Sequence, residues 1–377
     1  MRYQRVCLEA FGYTLPDEIV TSAEIEERLA PLYRRLRLPE GRLELMTGIR
    51  ERRFWPPGTL PSDVSIQSAE RAIAAGGIDK ADIGCLIHGS VCRDHLEPAT
   101  ACRVHDGLGL GPDCTIYDAS NACLGMLNGM LQVANMIELG QIRAGLIVGT
   151  ESSRPLVETT IDRLNRDTSL TREQMKLAVA SLTIGSASAA VLLVDRQISR
   201  TYNRLTASVV RANTQHHALC HSGGDESVAG GMQPWMTTDS ERLLHAGVAT
   251  AKEAFARFTD ALGCDVDDID KVFSHQVGVA HRRRLLETLR LRPQADFSTV
   301  EFLGNTGSAA VPVTAAIGIE QGHLSPSDRV AMLGIGSGLN VIMLAVDWQT
   351  CPVGTHRVPA RRDKRLPALK ATAFENT

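Results

Sequence analysis

The chain repeats itself. From Cys123 to Gly140 and from Asn305 to Gly322 the interval is the same, each segment is apolar, and each ends Glu-x-Gly. A strand closed by glycine follows in both places, AGLIVG over 144–149 and VAMLGIG over 330–336. Upstream, KADIGCLIHGSV (80–91) is matched by VDDIDKVFSHQV (266–277), each a polar lead into an apolar strand. A recurring order of elements is the signature of a duplicated unit. Strands alternating with helices predict layered α/β architecture. The reading places one half at 1–200, a second at 201–350 and a basic tail at 351–377. The polar, helix-prone stretch 151–182 is taken as an insertion. At 377 residues the chain exceeds what one core usually serves, which agrees with two halves.

Composition removes several functions. With 22% charged residues and a formal charge of −3, no cationic surface invites nucleic acid or an anionic membrane. No apolar run approaches the roughly 20 residues of a membrane span, and the start MRYQRVCLEAFGY lacks a signal-peptide core. Nine cysteines, irregularly spaced and without CxxC, fit free thiols in a reducing cytoplasm. His216-His217-x-x-Cys220-His221 finds no matching second cluster, so neither a metal nor a cofactor is expected.

The segment 118–140, DASNACLGMLNGMLQVANMIELG, puts Cys123 at the start of a helix apolar almost all round, hence buried. A thiol there meets the positive end of the helix dipole, which favours thiolate and makes a nucleophile. The alternative is a structural cysteine behaving as a small hydrophobe. In the duplicated frame Asn305 holds the position equivalent to Cys123, and His275 lies just past an equivalent strand, so the three converge near the pseudo-dyad. Taken singly, His275 fits a structural histidine and Asn305 a helix cap. Together they offer two donors to one developing oxyanion, a device suited to an enolate. Glu97, between Leu96 and Pro98, has the character of a solvated loop residue. Its loop nevertheless leaves a buried strand toward the end of the sheet where α/β folds place ligands, and a desolvated glutamate there is a base. The run Gly334-Ile335-Gly336-Ser337-Gly338 precedes a strand, not a helix, so it is a tight turn and not a dinucleotide fingerprint.

These motifs, Asp118-x-x-Asn121-Ala122-Cys123-Leu124-Gly125, Ser274-His275-Gln276, Gly304-Asn305-Thr306-Gly307-Ser308, the terminal Gly-x-Gly-Ser-Gly and Thr47-Gly48-Ile49-Arg50-x-Arg52, resemble the thiolase-superfamily condensing enzymes of the ketoacyl-ACP synthase III type. The resemblance spans roughly 1–350. It implies a thiolase-like five-layered αβαβα fold from two similar halves, working as a homodimer. It implies that Cys123 takes an acyl group from a thioester, that His275 and Asn305 stabilise an enolate, and that the backbone N–H groups of Cys123 and Ser337 form the oxyanion hole for acyl transfer. Within the type, Ala122-Cys123-Leu124-Gly125 and the loop Arg93–Pro98 are most similar to the OleA branch, which condenses two long-chain acyl-CoAs head to head in olefin biosynthesis. There the glutamate matching Glu97 is implied to reach the partner subunit's site as base. The expected activity is therefore non-decarboxylative Claisen condensation of two acyl-CoAs. A decarboxylating synthase using malonyl-ACP, or a non-catalytic acyl-binding member of the fold, are the alternatives.

Overall fold

The computed structural model describes residues 1–223 and 234–354. Its frame is a ten-stranded sheet. From edge to edge the strands are Lys271–Ser274, Arg329–Gly336, Asn340–Asp347, Arg204–Ala212, Val6–Thr14, Ala187–Asp195, Ala144–Glu151, Ile83–His88 and Thr115–Asp118. The short strand Val353–Gly354 lies parallel to Val6–Thr14. Strands drawn from the first 200 residues and those from 204 onward meet along Val6–Thr14, where Cys7 pairs with Arg204 and Phe11 and Gly12 pair with Val353 and Gly354. Strands separated by a helix run parallel, as a crossover requires: Ile83–His88 beside Thr115–Asp118 and Ala144–Glu151, and Lys271–Ser274 beside Arg329–Gly336.

The sequence repeat has its structural counterpart. A 3-10 turn leads into a strand at Lys80–Asp82 and again at Val266–Asp268. The helices Gly125–Glu138 and Ala310–Glu320 are each followed by a left-handed glycine, Gly140 and Gly322, both at φ +73°. Only a residue without Cβ takes that conformation at no cost.

Strand side chains alternate between two dry faces. Cys85 and Ile87 face Leu127 and Met130, whereas Leu86 faces Ala72 and Val104. On the other half Met332, Ile342 and Leu344 join the same inner cluster as Leu127, while Leu333, Val341 and Met343 pack with Phe255, Phe258 and Leu286. The layers are therefore outer helices Pro61–Gly76 and Thr100–Leu108, first-half strands, the two middle helices, second-half strands, and outer helices Ser240–Leu262 and Val279–Leu289. The five layers expected are present. The middle helices are covered on both sides, which is why Ala310–Gly318 is buried without interruption and shows no polar stripe.

Two expected boundaries move. Glu151 does not begin the insertion: it is the last residue of a central strand, paired with Ala187. The polar stretch proper comprises helices Arg154–Arg166 and Arg172–Lys176 and the turn Val179–Thr183. It packs on the N-terminal helices in a fourth core around Ile25, Leu32, Tyr33, Val157, Ile161 and Leu164. The expected tail also starts later, since Cys351 is buried and Val353–Gly354 joins the sheet. The remainder, 355–377, lies outside the described residues. Among the described residues no helix is long and apolar enough to cross a membrane.

The closest backbone meeting of the middle layer is at Gly89. A Cβ there would stand 2.6 Å from the Gly125 carbonyl, whereas one at Gly111 meets nothing within 4 Å. Gly89→Ala is expected to lower unfolding free energy in urea by about 1–3 kcal/mol, with Gly111→Ala near neutral as control.

Candidate active site

Cys123 occupies a tight turn between the strand Thr115–Asp118 and the helix Gly125–Glu138. Leu124 N–H donates to Asn121 O at 2.9 Å, and Ala122 is forced to φ +47°, a conformation side chains rarely adopt. Strain of this kind persists where the surroundings over-determine it. Here Asn121 is held by Asn128 at 2.8 Å, and Asn340 Nδ2 lies 3.4 Å from the Asn121 side-chain oxygen. Asp118, the first residue of the motif, serves the neighbouring helix instead: its carboxylate accepts the N–H groups of Thr100 and Ala101, both at 2.8 Å.

Asn305 is fixed by backbone and side chain. Its N–H donates to Thr183 O and its carbonyl accepts from Gly185 N–H, both at 2.9 Å. Its side-chain oxygen accepts from Gly307 N–H at 3.0 Å, leaving the N–H₂ end as the group with donors to offer. Behind this turn is Arg52, wholly buried. Its guanidinium reaches Ser22 Oγ at 3.1 Å, and its Cβ lies 3.2 Å from where a Cβ on Gly304 would stand.

His275 follows the strand Lys271–Ser274 and donates its N–H to Leu333 O at 2.8 Å. Its neighbours anchor it. Ser274 bonds Asp296 through N–H and hydroxyl at 3.0 and 3.1 Å. Gln276 Oε1 accepts from Thr299 N–H at 3.0 Å and Val300 N–H at 3.1 Å. The helix Val300–Leu303 begins there and delivers Gly304 and Asn305, so one glutamine ties the histidine's strand end to the asparagine's turn.

The segments that carry the three residues are linked through their neighbours. Ser308 Oγ lies 2.8 Å from Gly89 O, and Gly89 abuts Gly125, so the turns after Asn305 and after Cys123 share Gly89. Gly334 and Gly336, on the strand that binds His275, press on Leu124: Cβ atoms there would fall 2.6 and 2.9 Å from its side chain. Ser337 is the next residue, at the start of the turn before Asn340–Asp347.

Electrostatics correct one expectation. The helix begins at Gly125, and the dipole does not prevail at Cys123. Burial of the sulfur pushes its pKa up to about 12, with the Glu151 charge and Cys220 acting in the same direction. His275 moves oppositely: burial, with His281 adding, lowers it to about 3. The imidazole is thus neutral at ordinary pH, with one nitrogen a donor and the other an acceptor. Its Nδ1 is buried without a partner among the described residues.

Glu97 is not part of this cluster within the single chain. The root of its loop is anchored, Val91 N–H to Glu151 at 3.2 Å and Asp94 to Ser62 N–H at 3.0 Å. The tip, His95 to Pro98, is exposed. The His216–His221 run forms a 3-10 turn and a short strand; Cys220 Sγ lies 3.3 Å from Thr238 Oγ1.

Residues 259–348 match the family described as 3-oxoacyl-[acyl-carrier-protein] synthase III C terminal. Over 352 residues the chain is 45% identical to the acyl-CoA:acyl-CoA alkyltransferase of Shewanella oneidensis, covering 92% of this chain and all of that one. The Xanthomonas campestris enzyme of the same name is 34% identical over 348 residues, again 92% of this chain and all of the relative. The chain belongs to the acyl-CoA:acyl-CoA alkyltransferase (OleA) family. Crystal structures of Xanthomonas campestris OleA superpose with a TM-score of 0.86 at 33% identity over 92% of this chain and 98–100% of theirs, one of them with bound lauric acid and lauroyl-CoA. The OleA-family chain is accordingly a transferase of the thiolase-like condensing class.

Sequence reasoning passed over Glu151 and Gly89 and met Gln276 only inside the motif Ser274-His275-Gln276. Glu151 had a signal: a carboxylate closing a strand with no polar alternation must be buried with its donors. Gly89 and the bonding partners of Gln276 carried none, since the segments involved lie far apart along the chain.

Two pH effects follow. Iodoacetamide alkylation of Cys123, read by peptide mass spectrometry, should climb about tenfold per pH unit from 7 to 10 without a plateau. A plateau below pH 9 contradicts the elevated pKa. His275 and His281 are held neutral, at about 3 and about 4, and gain protons near the ordinary value of 6.5 when unfolded. Stability is thus complete above that value and falls as pH drops below it. The urea midpoint should decline from pH 7 to pH 5, less steeply in His281→Gln.

Proposed function

We propose that this chain carries out a non-decarboxylative Claisen condensation of two fatty acyl-CoA thioesters, as a cytoplasmic homodimer in which each chain is built of the halves 1–200 and 201–350. The observation that supports the reading is that the turns following Cys123 and Asn305 both pack on Gly89, while the strand that bonds the His275 N–H packs on Leu124. The names of the relatives and the lauroyl-CoA bound by one of them support the substrate class.

In the first step the Cys123 sulfur attacks the thioester carbonyl and the C–S bond to coenzyme A breaks. The thiol proton leaves with the coenzyme A sulfur. Backbone N–H groups of Cys123 and Ser337 stabilise the tetrahedral oxyanion. A thiol with a pKa near 12 gives little free thiolate, so the proton is lost as the sulfur attacks and passes to the departing coenzyme A sulfur. In the second step Glu97 removes the α-proton of another acyl-CoA. The enolate oxygen is held by an N–H of neutral His275 and the Asn305 amide. The α-carbon attacks the acyl-Cys123 carbonyl, the C–S bond breaks with its electron pair on the Cys123 sulfur, the proton taken up by Glu97 restores the thiol, and the β-ketoacyl product forms as its coenzyme A thioester.

Glu97 is assigned across the dimer. Among the described residues it has no hydrogen-bond or ion-pair partner, and its loop tip stands clear of its own chain. Beside it the sheet ends in the half-buried strand Thr115–Asp118, an unpaired edge with Ile116 and Tyr117, while Val91 and Leu96 are 46% and 43% exposed. Unpaired edges and adjoining apolar side chains call for a partner. Nine cysteines, all free, accord with the cytosol.

The second reading, a decarboxylating synthase, generates its carbanion by loss of carbon dioxide and needs no base. Purified enzyme with myristoyl-CoA alone separates them: a β-keto product without malonyl-ACP is expected. Glu97→Gln should leave acylation of Cys123 intact in intact-mass spectra and lower condensation about 100-fold or more. Undiminished condensation in that variant removes the base assignment.

A further inference from the structure

Glu151 has no step in the proposed reaction, yet it lies where the reaction's parts meet. It ends a central strand, is 5% exposed, and its backbone carbonyl is pinned by Trp55 Nε1 at 3.0 Å. One carboxylate oxygen, Oε1, accepts from Ser308 N–H and Val91 N–H, both at 3.2 Å, and lies 2.6 Å from Ser308 Oγ, whose single proton it shares with Gly89 O. Those donors come from two parts of the proposed machinery. Ser308 belongs to the turn that carries Asn305, and Val91 opens the loop that carries Glu97. Gly307, at φ +56°, makes room, since a Cβ there would stand 3.0 Å from the Glu151 carboxyl carbon. Two N–H groups and a shared hydroxyl on one oxygen suit an anion, because charge-assisted bonds are roughly twice as strong as neutral ones. The charge also opposes thiolate at Cys123, so its contribution to the site is one of geometry.

We infer that Glu151 is a positioning residue whose carboxylate ties the Asn305 turn to the root of the Glu97 loop, holding the enolate donor and the base-bearing loop in one register. This rests on the condensation proposed above. Carbanion formation and attack need both parts in place, whereas loading of Cys123 needs neither. Glu151→Gln removes the charge while nearly keeping the volume. Ser308→Ala removes one donor while keeping the charge.

The experiment compares full-length wild type, Glu151→Gln and Ser308→Ala in three measurements: acylation of Cys123 by myristoyl-CoA, product formation, and iodoacetamide alkylation of Cys123 at pH 8. In Glu151→Gln condensation should fall at least tenfold more than acylation, and alkylation should quicken severalfold as the opposing charge disappears. In Ser308→Ala condensation should again fall more than acylation, with the alkylation rate of wild type. Equal loss of acylation and condensation in both variants, or condensation at the wild-type rate in both, overturns the inference. If Glu151→Gln does not fold, Glu151→Asp, which keeps the charge but draws it back from Ser308 and Val91, is read in its place, since Ser308→Ala also loses the Gly89 contact. Should wild type require malonyl-ACP, the non-decarboxylative reading fails by itself; the ratio of malonyl-dependent condensation to acylation, with the alkylation rates, still tests Glu151.

Discussion

Backbone touching backbone at Gly89, with no side chain between, is the constraint on which this site depends. Gly125 approaches it from the helix behind Cys123, and the Ser308 hydroxyl bonds its carbonyl from the turn behind Asn305. A single methyl group there would push the two helix starts apart. Because the starts belong to the middle layer, their separation also sets how the two sets of strands close over Leu127 and Met332. Packing of the core and geometry of the chemistry are one arrangement seen from different ends.

Burial sets the charge states. Desolvation raises the Cys123 thiol and lowers the His275 imidazole, so the free enzyme rests with both groups neutral. An ion pair of thiolate and imidazolium, the usual means of activating a cysteine with a histidine, is disfavoured on both sides. The imidazole is left to act as a neutral hydrogen-bond partner. That agrees with a role at a developing enolate more closely than with a role as proton acceptor from sulfur.

The duplicated order of elements was legible because it is written in local pattern: polar lead, apolar strand, apolar helix, glycine. Cys123, His275 and Asn305 were found by their place in that order. Alternation of strands and helices pointed to layered α/β architecture, and the count of five layers came from the resemblance. Interactions between distant segments were not legible. Gln276 finds its partners at 297–300, Ser308 meets Gly89, and Arg52 stands behind Gly304, and no spacing rule links such positions. Glu151 was misplaced by composition, because the polar residues that follow it masked the end of the strand. The dipole argument at Cys123 failed for a physical reason: a helix terminus contributes a fraction of a charge, and burial of a whole thiolate outweighs it.

The middle helix Gly125–Glu138 has one more consequence. Its apolar surface is shared between strands of the first half and strands that begin only at residue 329. A nascent chain that has just emerged to residue 200 has therefore made its nucleophile segment but lacks the wall meant to cover it. The sides of Leu124 and Leu127 that the strand 329–336 covers would then face water, the kind of surface that draws chaperones and self-association. The first half is poorly fitted to exist alone, and fragments or late truncations of this chain should be insoluble before they are merely inactive.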